Sequence, residues 1–366
     1  MNASADAIAA VVLAQFAKLP SKRKPAVRDN GLREWVPLSG IVLEKDGHLT
    51  CIALATGMKC LPASRLPDCN GIGIHDWHAE ILALRAFNRF LLDECHQILE
   101  DGKTPYILQR DNAGSSRPFK IRADVRLHMY CSEAPCGDAS MELIMAAQED
   151  MTPWTDNGRH PQITEEQRSL PGRAFFSQLG VVRRKPGRGD APASMSKSCS
   201  DKLAAKQGLS LLSSITALFV DPSRAYIDRL VLPEDRYSAT GCSRAFGPEG
   251  RLQPVANAVW EDGNLAAAWT LSGIEETVLG GVIQGRKAFD VRGASAMARR
   301  TMWAKARELG EALGDGYRVD VPVYCEIKML PSLATRRAVK EDLRTKALTQ
   351  WICNQGDDGF ELKQAG

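Results

Sequence analysis

An α/β fold, with helices on both sides of a mixed β-sheet, is what this 366-residue sequence predicts, on three observations. The stretch "SGIVLEKDGHLTCIALATGMKC" (39–60) alternates around Asp46-Gly47, the mark of a tight β-hairpin. The stretch "DWHAEILALRAFNRFLLDECHQIL" (76–99) puts Ile81, Leu84, Phe87, Leu91 and Leu92 on one helical face. After it, strand-like and helix-like segments alternate. "RADVRLHMYCSEAPC" (122–136) reads as a strand and loop, "GDASMELIMAAQ" (137–148) and "CSDKLAAKQGLSLLSSITALFV" (199–220) as helices, and "AYIDRLVLP" (225–233) as a strand.

The other elements follow from the same rules. Ile8, Val12 and Phe16 recur at helical spacing, which predicts an N-terminal helix over 4–18. Asp76 is placed to cap the long helix. "SKRKPAVRDNG" (21–31) and "LPASRLPDCNGIG" (61–73) read as loops. Residues 150–195 lack apolar periodicity and are rich in Pro, Gly and Arg, so a long loop is expected. Short strands and turns are expected over 240–295, and a last helix over about 335–352. No clean linker divides the chain. A single domain over 1–366 is expected, with its core over about 39–233 and a C-terminal part over about 234–362.

A hydrophobic share of 44% and a charged share of 25% suit a globular protein with a sizeable core. With a net charge of only +3, nucleic-acid binding would have to use local basic stretches, such as Lys22–Lys24, Arg183–Arg188, Arg299–Arg300 and Arg336–Arg337. Ten cysteines in a chain this long are not a disulfide framework. Asp6 stands where a secretion signal wants positive charge, and the apolar stretch 209–220 is too short to span a bilayer. An intracellular protein of the nucleus or cytoplasm, not secreted and with reduced thiols, is expected.

Those thiols matter at "EAPCGDAS" (133–140). Pro-Cys-Gly-Asp begins like the P-C-x-x-C half of a zinc deaminase centre, but the second cysteine is replaced by Ala139. Upstream, "HAE" supplies His78, a metal-ligand type, and Glu80, a carboxylate able to move protons. Read alone, H-x-E is an ordinary helix start. Cys136 at the start of a helix raises its meaning, because the helix dipole favours a thiolate there. His78 and Cys136 leave zinc one protein ligand short of the three that a catalytic site uses. Cys131, His75 and Cys199 are the candidates. Cys199 opens another helix beside Lys197 and Lys202, which makes it the best placed.

Taken in order, "HAE", "PCGD" and "SCSDK" resemble the adenosine deaminase domain family acting on RNA. That family includes the editors of double-stranded RNA and the eukaryotic tRNA-specific adenosine deaminases. The resemblance runs from about 30 to 362. "LGVVRRKPGRGD" and "NQGDDGF" look most like the fungal tRNA members, which deaminate adenosine 37 of alanine tRNA. It implies a cytidine-deaminase-like three-layer α/β/α core and Zn²⁺ held by His78, Cys136 and Cys199. It also implies that Glu80 carries protons while water replaces the amino group at C6 of adenine, giving inosine. Lys59, Lys185 and Arg188 match substrate-contact positions, Lys185 lying toward the metal and Arg188 where relatives fill the gap left by a flipped base. The chain has no room for a separate double-stranded RNA-binding domain, which favours a tRNA anticodon loop as partner, with no DNA or membrane partner. The rival expectations are an editor of other structured RNA and an inactive RNA-binding scaffold.

A second cofactor is implied by the resemblance alone: buried inositol hexakisphosphate. Arg85, Lys202, Ser214, Lys287, Tyr324, Lys328, Lys340, Trp351 and Asp358 match its contacts. Leu84, Ala205, Cys353 and Asn354 depart from the family pattern, so the contact set here must differ. A highly anionic ligand can be buried only among many cations and donors.

Overall fold

The computed structural model describes residues 3–25, 35–101, 106–111, 116–148, 170–171, 178–185, 187, 191–247, 249–251, 269–349 and 351–362. Helix α1 (Ala5–Lys18) starts at Ser4, whose hydroxyl accepts from the Ala7 amide, a cap worth about 1 kcal/mol. Strands β1 (Leu38–Lys45) and β2 (His48–Thr56) form the expected hairpin. Asp46 and Gly47 both take positive φ, 52° and 76°, as a two-residue turn of matching twist requires.

Helix α2 (Ala79–Asp101) follows, starting three residues later than the sequence suggests. Asp76 is not its cap. The carboxylate of Asp76 accepts from the His78 amide at 3.1 Å and is otherwise taken by lysines. Strands β3 (Leu108–Arg110), β4 (Phe119–Ile121) and β5 (Val125–Cys131) lead to a 3₁₀ turn at Asp138–Ser140 and the short α3 (Met141–Ala146). Then come β6 (Leu170–Pro171), β7 (Arg183–Arg184), α4 (Cys199–Leu209) and β8 (Arg229–Val231). The helix expected over 199–220 ends at Leu209, because Ser210 turns to φ 63°; beyond it, Asn88 holds Leu211 and Ser213 through its side chain. Residues 240–295 hold a helix that the sequence did not suggest, α5 (Ala239–Phe246), before β9 (Trp269–Thr270), β10 (Val278–Leu279) and β11 (Val282–Ile283). The C-terminal part adds α6 (Arg299–Leu313), the one-turn α7 (Tyr324–Ile327) and α8 (Ala334–Asp342), which runs into a π-turn at Leu343–Ala347.

Five strands make one mixed sheet in the order β8-β5-β1-β2-β9. Only β5 and β8 are parallel; the other neighbours are antiparallel. Helix α1 covers one face, burying Ile8 and Val12 against Leu38, Val42, Leu54, Tyr130 and Val231. Helix α2 covers the other, with Phe87 and Phe90 in the same core as Ile41, Leu43, Leu127 and Met129. A bulge lets β2 serve both: Ile41 pairs with Ala53 but Val42 with Cys51, so Ile52 is the extra residue. The result is three layers, α/β/α, as expected. No helix among the described residues is long and apolar enough to cross a membrane.

Candidate active site

The site forms where the loops after β2 and β5 meet the starts of α2 and α4. The chain around His78 is pinned to the end of β2: Trp77 donates to the Lys59 carbonyl at 3.1 Å and Ala79 to that of Gly57 at 2.9 Å. The two cysteine-bearing turns are joined as closely. Cys199 donates its amide to the Cys136 sulfur at 3.4 Å, and Ser200 donates to the Cys136 carbonyl at 3.0 Å. Gly137 permits this approach. Its φ is 103°, and a Cβ there would lie 2.3 Å from the Ser198 hydroxyl.

The ligating atoms of His78, Cys136 and Cys199 lie within 4.8 Å of one another. His78 Nδ1 is 3.7 Å from Cys136 Sγ. Zinc–ligand bonds of about 2.0–2.3 Å at tetrahedral angles would set N and S about 3.5 Å apart, so the donor set fits that ion. Cys136 is the thiol that gives up its proton first: the hydrogen bond from Cys199, with Lys185 and His78 nearby, holds it well below the usual thiol range despite burial. Ala139 is fully buried and its amide donates to Ser200 Oγ, so the place of a C-x-x-C cysteine is filled by core. Of the other candidate ligands, Cys131 accepts from Ser39 Oγ at 3.2 Å. His75 turns to Asp357, Nε2 to Oδ2 at 2.5 Å.

Glu80 projects from the first turn of α2 and is 4% exposed. Its Oε2 is buried with no hydrogen-bond partner among the described residues. Burial, and then the charge of Cys136, push its carboxyl above the usual range. A carboxyl that holds its proton more tightly and has a free oxygen is suited to proton transfer.

Lys185, expected to contact substrate, is instead buried and committed to the protein. Its ammonium donates to Cys199 Sγ at 3.0 Å and to Asp76 at 2.7 Å. Asp76 also accepts from Ser196 Oγ at 2.7 Å and from Lys202. Burial opposes its charge, but Lys185 and Lys202 outweigh that and hold Asp76 well below the usual carboxylate range. Lys59 is exposed beside His78, and Arg188 lies outside the described residues.

Lys202 leads to a second feature, a cavity of about 270 Å³ between α2, α4, α6 and the C-terminal elements. Five expected contacts line it: Arg85, Lys202, Tyr324, Lys340 and Trp351. Four do not. Lys287 is exposed, Ser213 lines the wall rather than Ser214, and Lys328 lies 3.8 Å from Asp358, so each partly neutralises the other. Lys206, Arg299 and Arg344 line it unforeseen. Lys206 directly follows Ala205, the position that departs from the family pattern, and both line the wall. Among the described residues, six cations and no carboxylate line the wall. Burial and neighbouring cations hold the Lys206 ammonium well below the usual lysine range. Such a lining fits a polyanion.

A five-stranded mixed sheet between helix layers, with a histidine and two thiols at converging helix starts, defines a deaminase-type α/β protein of the cytidine-deaminase-like fold. The sequence profile of the adenosine-deaminase (editase) domain matches residues 53–261. The chain belongs to that family and is an enzyme of the deaminase class. It is 35% identical to tRNA-specific adenosine deaminase 1 of Schizosaccharomyces pombe, over 96% of this chain and 95% of the relative. It is 34% identical to tRNA-specific adenosine deaminase 1 of Saccharomyces cerevisiae, over 62% of this chain and 58% of the relative. With the double-stranded RNA-specific editase Adar of Drosophila melanogaster it shares 25% identity, over 66% of this chain and 35% of that protein.

Proposed function

We propose that this chain is a zinc-dependent tRNA adenosine deaminase, and that its target is adenosine 37 of alanine tRNA. The near-complete match to the fission yeast enzyme supports the tRNA substrate. The observation that carries the chemistry is the convergence of His78, Cys136 and Cys199 beside the unpartnered carboxyl oxygen of Glu80.

His78, Cys136 and Cys199 would hold the metal, and Lys185 offsets the negative charge of the thiolates. Bound there, zinc would supply the Lewis acidity that makes water a nucleophile at neutral pH. Glu80 takes the proton from the attacking water and passes it to the purine as C6 is attacked. It then carries the proton of the new C6 hydroxyl to the amino group, which leaves as ammonia while C6 becomes a carbonyl. Its raised affinity for the proton suits both transfers. The target base must leave its stack to reach so recessed a carboxyl, which an unpaired loop nucleotide does at low cost.

The cationic cavity is read as the inositol hexakisphosphate site, held by Arg85, Lys202, Lys206, Arg299, Lys340 and Arg344. The 1–366 chain is read as one deaminase domain, since residues from α2 to Trp351 share that wall.

Incubating the purified protein with a set of tRNA transcripts and mapping inosine tests the activity. Conversion confined to position 37 of alanine tRNA is expected. No conversion in any tRNA, with zinc and inositol hexakisphosphate present, would overturn the reading. Glu80→Ala should lose turnover and keep its zinc.

A further inference from the structure

The two cysteine-bearing turns carry the same device. Each has a buried aspartate two residues after its cysteine: Asp138 after Cys136 and Asp201 after Cys199, both fully buried. Each aspartate is gripped by an arginine from one short stretch, 244–251. Arg244 Nε donates to Asp138 Oδ1 at 3.1 Å, and its Nη2 to the Asp138 carbonyl at 3.1 Å. Its Nη1 reaches Glu142 at 2.6 Å. Arg251 Nη1 donates to Asp201 Oδ1 at 2.6 Å. The arginines are tied together in turn, since the Arg251 amide donates to the Arg244 carbonyl at 3.1 Å.

Two glycines let this stretch come so close. A Cβ on Gly241 would lie 2.7 Å from the Ala139 carbonyl, and one on Gly250 would lie 2.4 Å from that of Arg244. The second oxygen of Asp201 accepts from the Arg183 amide at 2.9 Å. Arg183 stands two residues before Lys185, so the same aspartate also fixes the strand that brings Lys185 to Cys199.

We propose that Arg244 and Arg251 are positioning residues for the metal centre, a paired clamp that sets the distance between the Cys136 and Cys199 sulfurs. The proposal rests on reading His78, Cys136 and Cys199 as the metal-binding set. Neither arginine touches a sulfur. Each acts through an aspartate in a turn whose cysteine it thereby aims. Without its arginine, each aspartate loses the bonds that tie its turn to the 244–251 stretch. The turn is then free to move, and the sulfur with it.

The test uses the full-length protein loaded with Co²⁺ in place of zinc, because thiolate–cobalt absorption reports ligand geometry without turnover. Arg244→Met and Arg251→Met should shift the visible cobalt bands and release the metal to a chelator about ten-fold faster, in the range for outer partners of a metal site. Arg244→Lys and Arg251→Lys keep the charge and should fall between. Arg89→Met is the control. Arg89 is an α2 arginine bonded to Asp93 at 2.9 Å and to the Ala296 carbonyl at 3.2 Å, eleven residues beyond His78. Its loss should lower thermal stability and leave the cobalt spectrum unchanged.

Folded methionine variants with unaltered spectrum and release rate would overturn the clamp. If they do not fold, the lysine variants decide by the same two measurements. If the unaltered chain takes up no cobalt, or Cys199→Ala leaves its spectrum intact, the metal reading itself fails and the clamp with it.

Discussion

Lys185 and Cys199 are in direct contact, ammonium to sulfur at 3.0 Å, and Lys185 is only 3% exposed. A lysine this deeply buried stays charged only because Asp76 and the thiols face it; they outweigh burial and raise its affinity for the proton. Lys185→Met should therefore leave two thiolates without their cation. Zinc content should fall, and turnover should drop at least about a hundred-fold, near the upper end for a partner of a metal ligand. Metal analysis alongside inosine formation checks this. A variant with full zinc and full activity would show that the contact is incidental.

The third ligand separates by mutation. Cys199→Ala should lose zinc. Cys131→Ala should keep it, because Cys131 sits on β5 bonded to Ser39 and takes no part in the cluster. Metal analysis of both purified proteins is sufficient, and the opposite pattern would move the site.

The cationic cavity predicts proton uptake on anion binding. Lys197 lies 5.6 Å over the Trp351 ring, and burial, with Lys202 beside it, brings its pKa down to about 7. Its folded value lies below that of a free lysine, so the unfolded chain binds more protons between them. Anion-free stability should then rise with pH from about 7 to about 10.5. At pH 8 Lys197 is mostly neutral, and it stands against the wall residue Trp351. Inositol hexakisphosphate should restore its charge, taking up as much as about one proton at pH 8 and less at pH 6. Calorimetry in buffers of different ionisation heat measures this. Heats that do not depend on buffer would show that the anion does not recharge Lys197.

On the α1 face of the sheet, Gly40 on β1 sets how close that helix can lie. A Cβ there would meet the Val12 methyls at 2.6 and 2.8 Å. Gly40→Ala should cost about 1–3 kcal/mol, seen as a lower thermal midpoint. Adding Val12→Ala should recover part of the loss, because the clash is with those methyls.

The candidate-site residues were legible because each motif is contiguous: "HAE" runs into α2, "SCSDK" opens α4, and "PCGD" leads into the 3₁₀ turn before α3. The hairpin at Asp46-Gly47 was legible for the same local reason. The cavity was not. Arg299 and Arg344 reach its wall from elements far apart in sequence, and nothing near either residue marks it as facing inward. Lys287 resembled a contact by motif yet lies on the surface, while the wall takes its cation from Arg299 at the start of α6. Lys185 was named, but its burial is a tertiary fact, set when Asp76 and Cys199 close on it. Helix α5 was not legible because "ATGCSRAF" is only eight residues long with Thr240 and Gly241 near its start, and its packing depends on Gly241 meeting the turn at Ala139.

The cavity wall runs from Ile81 on α2 to Trp351. Its last side is built only when the C-terminal elements fold onto α2 and α4. Lys340 stays exposed at the rim, so the chamber keeps a mouth toward solvent. An anion seated there would fasten the two ends of the chain to each other, and it should come and go through that mouth without the fold opening.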